Sequence, residues 1–236
     1  MADIPPLNAP SLGRITEGPT DSLVSRTLEF VLSELPTWRD DPSRGLEEAE
    51  ESLNAQLCKY LNVTASDSFP MVHFHHEEKQ TGIRRVDISA LPKYGVILGI
   101  TFHSIYDPFL VLEGKRLPAP SKSREREYVT GGSNKSGGIQ RFKLALHGAQ
   151  QTTAAMIGYV QAGNCSDWLS CVNQWIRDEV NSIAESGENW SSTDQLVDFK
   201  EEIGRRVAVS SSVHARSSSA VSPEVQIRHL WVAMRN

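Results

Sequence analysis

Arg85-Val86-Asp87-Ile88, and further on Phe109-Leu110-Val111-Leu112-Glu113-Gly114-Lys115, decide how this chain is read. Asp87 sits in an apolar run of strand type, Val86 to Leu91, and Glu113 and Lys115 close a second run, Phe109 to Leu112. The 25 residues between Asp87 and Glu113 hold a third such run, Val96 to Phe102. Alternate residues of a strand share a face, so Glu113 and Lys115 project to one side with Gly114 between them. A carboxylate and an ammonium at the end of an apolar strand are costly to desolvate. That cost marks them as residues with a task.

Upstream, Met71 to His76 reads as a short strand in which His73 and His75 alternate with Val72 and Phe74. The alternation favours a half-buried strand with its histidines outward over a metal site. Pro92 to Gly95 and Ile105 to Pro108 are short enough to join antiparallel neighbours, so Ile83–Leu91, Val96–His103 and Phe109–Lys115 are expected side by side. Leu46, Glu50, Leu53, Leu57 and Leu61 step by three and four along a helix expected from after Ser43 to Leu61. Glu50 is the one carboxylate on that apolar stripe. An earlier helix, from Thr20 or Asp21 to about Leu35, is expected to stop at Pro36.

Downstream, Leu117 to Ser136 is a polar, flexible loop. Its glycine-rich end fails the phosphate-loop pattern, because Gly137 is followed by Gly138 where a lysine is needed. A helix is expected over Ile139–His147, with His147 as a capping residue rather than a catalyst, then a buried strand over Ala154–Gln161. The amphipathic stretch Ser166–Ala184 turns Trp168, Cys171, Val172, Trp175, Ile176, Val180 and Ile183 inward. Trp190–Phe199 reads as polar and helical after Ser192 or Thr193. Val207–Val213 and Val225–Met234 are two last strands. The order predicts an α/β (α+β) domain with a central mixed β-sheet flanked by helices. Residues 1–18, rich in proline, are expected to form a poorly ordered tail, and residues 19–236 a single domain.

A chain of 236 residues, 39% of them hydrophobic, can bury one substantial core. No apolar run approaches the roughly 20 residues of a membrane helix, and Met1 to Gly18 lacks the apolar centre of a secretory signal. A cytoplasmic protein without a membrane partner is the expectation. Three cysteines with no C-x-x-C pair suit a reducing compartment and argue against a zinc site. The net charge is −5, yet residues 115–143 carry eight basic residues against two acidic ones, a local +6. A basic segment directly behind Glu113-Gly114-Lys115 suits an anionic substrate. Gln80 and Arg84 before Asp87 are candidate nucleic-acid contacts, as are Arg116, Arg124, Arg126, Lys135, Gln140, Arg141 and Lys143 after it.

Two carboxylates and a lysine at strand ends are what metal-assisted phosphodiester cleavage needs. A divalent cation neutralises the phosphate, makes water more acidic and stabilises the leaving oxygen. Mg²⁺ keeps several waters and takes one or two carboxylates, here Asp87 and Glu113, with the Gly114 carbonyl as a third oxygen. Gly114, without a Cβ, leaves room for metal and phosphate to approach, and Lys115 can position the attacking water or help to deprotonate it.

By spacing and context the chain resembles the PD-(D/E)XK, or restriction-endonuclease-like, nucleases. Asp87 stands for the family's strand-start Asp, and Glu113-Gly114-Lys115 for its Glu/Asp-x-Lys. Val86 replaces the usual Pro. Glu50 fits the acidic residue that the family often adds on the preceding helix. The likeness spans roughly Leu46 to Val160. It implies a Mg²⁺-dependent endonuclease, with Mn²⁺ as a substitute, acting on DNA through Asp87, Glu113, Lys115 and Glu50. It also implies a setting in restriction or phage defence, with a partner subunit or a second copy. The alternatives are a nuclease-like subunit that only binds nucleic acid or a partner, and a toxin-like nuclease that cleaves RNA.

Overall fold

The computed structural model describes residues 22–80, 83–182, 189–217 and 219–234. The tail expected over residues 1–18 lies outside them, as do Ile183 and Ala184. The chain begins with helices α1 (Ser22–Asp40) and α2 (Glu50–Ser68), followed by strands β1 (Val72–Lys79), β2 (Arg85–Pro92), β3 (Val96–Leu98), β4 (Thr101–His103) and β5 (Leu110–Leu117). Then come α3 (Gly138–Lys143), β6 (Thr153–Val160), α4 (Cys165–Asn181), β7 (Val197–Glu202), β8 (Val207–Ala215) and β9 (Glu224–Ala233). Seven strands make one mixed sheet in the order β1-β2-β5-β6-β9-β8-β7. The β5–β6 and β6–β9 pairs are parallel, and the others antiparallel.

Helices cover both faces. On one, Val31 and Leu35 of α1 and Leu53, Leu57 and Leu61 of α2 pack on Leu110, Leu112, Ile157 and Leu230. On the other, Ile139 and Phe142 of α3 and Val172, Trp175 and Ile176 of α4 pack on Val111, Met156, Ile227 and Trp231. Each such buried side chain contributes about 1.5–3 kcal/mol. In β5 the pleat sends Leu110 and Leu112 toward α2 and Val111 toward α3. Glu113 and Lys115 continue the row of Val111. No helix among the described residues is long and apolar enough to cross a membrane.

Several expected elements are corrected. Pro36 does not end α1 but lies inside it. Proline removes one helical hydrogen bond, and the continued helix offsets this by burying Trp38 against Tyr159, ring centroids 5.8 Å apart. Helix α2 starts at Glu50, leaving Leu46 95% exposed. The run Val96–His103 is not a third strand of the main sheet. Gly99, at φ 61°, turns it back on itself, and β3 and β4 form a separate two-stranded hairpin. Its Val96 and Leu98 lean on the core while Ile97 and Phe102 face outward. The β2 strand therefore pairs directly with β5. The segment expected to be helical after Ser192 or Thr193 makes only one 3-10 turn, Ser192–Asp194, before it enters strand β7, where Phe199 reaches Trp231 at 6.3 Å. In α4, Val172, Trp175 and Ile176 are buried as expected, but Val180 is exposed.

A buried polar chain crosses the far half of the sheet. Lys143 Nζ lies 2.8 Å from Asp194 Oδ1, and His214 Nδ1 lies 2.6 Å from the same oxygen. Ser212 Oγ bridges His214 Nε2 (2.6 Å) and His229 Nε2 (2.7 Å). Tyr128 then joins His229 Nδ1 (2.8 Å) to Trp231 Nε1 (2.7 Å). A carboxylate only accepts, so His214 carries its proton on Nδ1, Ser212 donates to His214, His229 donates through Nε2 and Tyr128 donates to His229. Every link uses a neutral imidazole. Burial lowers the pKa of His214 from the ordinary 6.5, and that of His229 well below it.

Ser212→Ala is expected to lower stability by about 2 kcal/mol, because it leaves two buried ring nitrogens unpartnered. Urea unfolding measures this. Across pH, the imidazoles' contribution should be complete above about 6.5 and be lost below it, since the unfolded chain then takes up protons that the folded imidazoles refuse.

Candidate active site

The site begins where two strands part. Strand β2 pairs with β5 only at Ile88–Leu112, Ser89–Val111 and Ala90–Leu110. Beyond Ile88 the Gly114 N–H donates to the Asp87 side chain, Oδ2, at 2.8 Å. The N–H and C=O of one strand residue face the same edge, so the Gly114 carbonyl opens on the same gap. On the other side of β2, Glu77 falls between the pairs His76–Ile88 and Glu78–Val86, opposite Asp87, and has a left-handed φ of 57°. Such backbone is costly for a residue with a side chain and concentrates at functional sites.

Glu113 is fully buried. Its Oε1 accepts from Arg141 Nη1 and lies 3.2 Å from Lys115 Nζ, while its Oε2 is 2.9 Å from His147 Nδ1. Lys115, also buried, donates to Glu50 Oε1 at 2.6 Å. The other Glu50 oxygen accepts the Arg116 N–H at 3.3 Å. Glu50 opens α2, where a carboxylate suits the positive end of the helix dipole. The four residues expected to act together, Asp87, Glu113, Lys115 and Glu50, thus meet at one point.

Two residues join them that the sequence reading placed elsewhere. Arg141 was expected on phosphate and instead pairs with Glu113. His147 was expected as a helix cap; α3 ends at Lys143, and a turn through Ala145 (φ 53°) and Gly148 (φ 61°) brings the imidazole under Glu113. That turn is held from two sides. Arg216 donates to the carbonyls of Phe142, His147, Gly148 and Gln151. Gln80 Oε1 accepts the Gly148 N–H at 3.0 Å, so Gln80 supports the site's floor.

Gly114 needs its missing Cβ for a different reason than expected. A Cβ there would overlap Asn54 Oδ1, so the glycine admits the α2 helix rather than a metal or phosphate. Asn54 Oδ1 accepts from the Tyr159 hydroxyl at 2.7 Å, and its Nδ2 is buried without a partner. The signal for Asn54 was present in the sequence, one helical turn after Glu50 on the same face.

The carboxyl groups outnumber the fixed cations. Three carboxyl groups, Glu50, Asp87 and Glu113, face two fixed cations, Lys115 and Arg141. Burial, and then the charge of Glu113, push Asp87 well above the ordinary carboxyl range. Burial would raise Glu113 too, but Lys115, His147 and Arg141 hold it far below. Lys115 is kept above its ordinary value despite burial by Glu113, Glu50 and Asp87. Among the described residues no three His, Cys, Asp or Glu side chains gather as a metal cage needs. Asp87, Glu113 and the Gly114 carbonyl still offer oxygens that suit a cation keeping most of its waters, as Mg²⁺ does, and such a cation would favour the ionised form of Asp87.

The remaining candidates divide by burial. Gln140 is buried, accepting the N–H groups of Gly131 and Gly137 and donating to Gly132 O, so it folds the glycine-rich loop. Lys143 is buried on Asp194. For these two the expected nucleic-acid contact is corrected: internal hydrogen bonding occupies them. Arg116 donates to Gln161 at 2.7 Å. Arg124 and Arg126 pair with Glu127 and Asp178 but keep nearly half of their side chains exposed. Arg84 and Lys135 are half-buried.

Compared with protein-family models, curated proteins and solved structures, the chain matches none.

Gly114→Ala is expected to cost about 1–3 kcal/mol by overpacking, and less in an Asn54→Ala background, where the collision is gone. A double-mutant cycle of melting curves tests this. Asp87→Asn, which removes a carboxyl group that must take up a proton on folding, should raise stability by about 1 kcal/mol at neutral pH without added metal.

Proposed function

We propose that this chain is a Mg²⁺-dependent nuclease, with Mn²⁺ as a substitute, that hydrolyses phosphodiester bonds of DNA. One observation carries the proposal: Asp87, Glu113, Lys115 and Glu50 converge at the gap between β2 and β5, three carboxyl groups against the two fixed cations Lys115 and Arg141. Asp87, Glu113 and the Gly114 carbonyl would hold the cation. When bound, the cation supplies positive charge to the phosphate and makes the attacking water more acidic.

The chain's own residues do the rest. Lys115 is held protonated by the carboxylates around it, so it works as a charge and a hydrogen-bond donor, not as a base. It orients the water and stabilises charge developing on the phosphate. Glu50 fixes the direction of the Lys115 ammonium. His147 donates to Glu113 Oε2 and fixes the direction of its carboxylate. Arg84, Arg124, Arg126 and Lys135 are the cations left to hold backbone phosphates. The same residues support membership of the PD-(D/E)XK nucleases, and a role in restriction or phage defence rests on that resemblance. Among the described candidate contacts few cations stay free of internal partners, which favours help in substrate binding from a second copy or a partner protein.

Glu113→Gln should lose cation binding and cleavage together. Lys115→Ala should keep the cation and cleave at least ~100-fold more slowly. It also strips two carboxylates of their partner, at a stability cost on the order of 3 kcal/mol, so melting is recorded alongside. The assay uses DNA and RNA substrates with Mg²⁺ or Mn²⁺. Cleavage that survives both substitutions would place the chemistry elsewhere, and cleavage confined to RNA would replace the DNA assignment.

A further inference from the structure

Arg141 is the one charged residue of the cluster that the proposed chemistry leaves without a role. Its Nη1 sits on Glu113 Oε1, but its Nε is buried with no hydrogen-bond partner. The side chain stays 21% exposed, against none for Glu113. A guanidinium offers five donors in a planar fork and is satisfied best by two oxygens at once. Here it cannot have both oxygens of Glu113, because Lys115 shares Oε1 and His147 holds Oε2. A buried donor left unmade is costly, and its natural complement is a further oxygen ligand.

We infer that Arg141 exchanges partners: it neutralises Glu113 while no divalent cation is bound, and turns its fork to a substrate phosphate once a cation occupies Glu113. This rests on the nuclease reading above. A divalent cation and a guanidinium on one carboxylate oxygen repel each other strongly in a site of low dielectric, so entry of the cation drives the arginine off. The helix behind it is fixed. Lys143 is anchored on Asp194, and Gln140 is locked into the loop before α3. The side chain therefore moves and its backbone does not. From that fixed backbone the released fork would turn toward the gap between β2 and β5, where a phosphate oxygen pair would meet it. The phosphate site is then made by cation loading, and nucleic acid without cation would find Arg141 already engaged.

The test uses the full chain with Arg141→Gln and Arg141→Lys. Mn²⁺ binding is measured by calorimetry, and binding of a phosphorothioate DNA duplex is measured with and without Mn²⁺. Arg141→Gln removes the competitor for Glu113 and should bind Mn²⁺ about tenfold more tightly, the scale of one charged hydrogen bond. Wild type should bind the duplex at least about tenfold more tightly when Mn²⁺ is present, and Arg141→Gln should lose most of that gain. Arg141→Lys keeps the charge without the fork, so its Mn²⁺ affinity should match wild type while its duplex gain falls. If Arg141→Gln does not fold, the lysine variant decides alone, and a full duplex gain there overturns the inference. Unchanged or weaker Mn²⁺ binding in Arg141→Gln, in a wild type that binds Mn²⁺ and cleaves, overturns the exchange and leaves the nuclease reading standing. A wild type that binds no divalent cation removes both.

Discussion

A carboxylate with no access to water has to find its stabilisation inside the protein, and in this chain the carboxylate of Glu113 finds it in three partners from three places. Lys115 comes from the same strand, Arg141 from helix α3, and His147 from the turn beyond. Leaving such a charge unpaired in a core would cost several kcal/mol. The packing of α3 on the sheet, the grip of Arg216 on the turn after it and the seat of Gln80 under Gly148 all act to keep those partners in place. The site and the stability of this half of the fold are thus one arrangement.

The geometry depends equally on a short break in the sheet. Antiparallel pairing between β2 and β5 would continue past Ile88 if both backbones offered partners, but the Asp87 side chain takes the Gly114 N–H instead. A hydrogen bond is retained while the strands separate, and a backbone carbonyl is left facing the gap. On the opposite face of β5, Asn54 fills the space that a side chain at position 114 would occupy. One glycine therefore serves two neighbours, helix α2 on its missing side chain and Asp87 on its backbone. This explains why the middle position of Glu113-Gly114-Lys115 is a glycine here without invoking room for a ligand.

The basic segment behind the site illustrates how a linear charge count misleads. Residues 115–143 hold an excess of +6, yet Lys115, Arg141 and Lys143 point inward to Glu50, Glu113 and Asp194. Their partners lie 28 to 65 residues away in sequence, so no local window reveals the compensation. What remains on the surface is a sparser set of arginines and lysines. Lys143 also ends the buried chain through Asp194, His214, Ser212, His229 and Tyr128, whose fixed proton order ties α3 to β8 and β9.

The sequence alone determined the fold class, because apolar alternation in Val72–Phe74 and Val86–Leu91 and unbroken apolar runs in Phe109–Leu112 and Ala154–Val160 follow directly from which faces must be dry. It also singled out Asp87, Glu113, Lys115 and Glu50, since charged residues inside apolar periodicity stand out wherever they occur. Local patterns could not say that Val96–His103 leaves the sheet, for that depends on one glycine at positive φ and on β2 meeting β5 without it. They could not say that helix α1 continues through Pro36, which only the burial of Trp38 against a distant strand makes favourable. Nor could they bring Arg141, His147 and Asn54 to the same centre. Those placements are set by pairing between charges and by close approach of backbones far apart in the chain, and such interactions exist only once the sheet and its helices have packed.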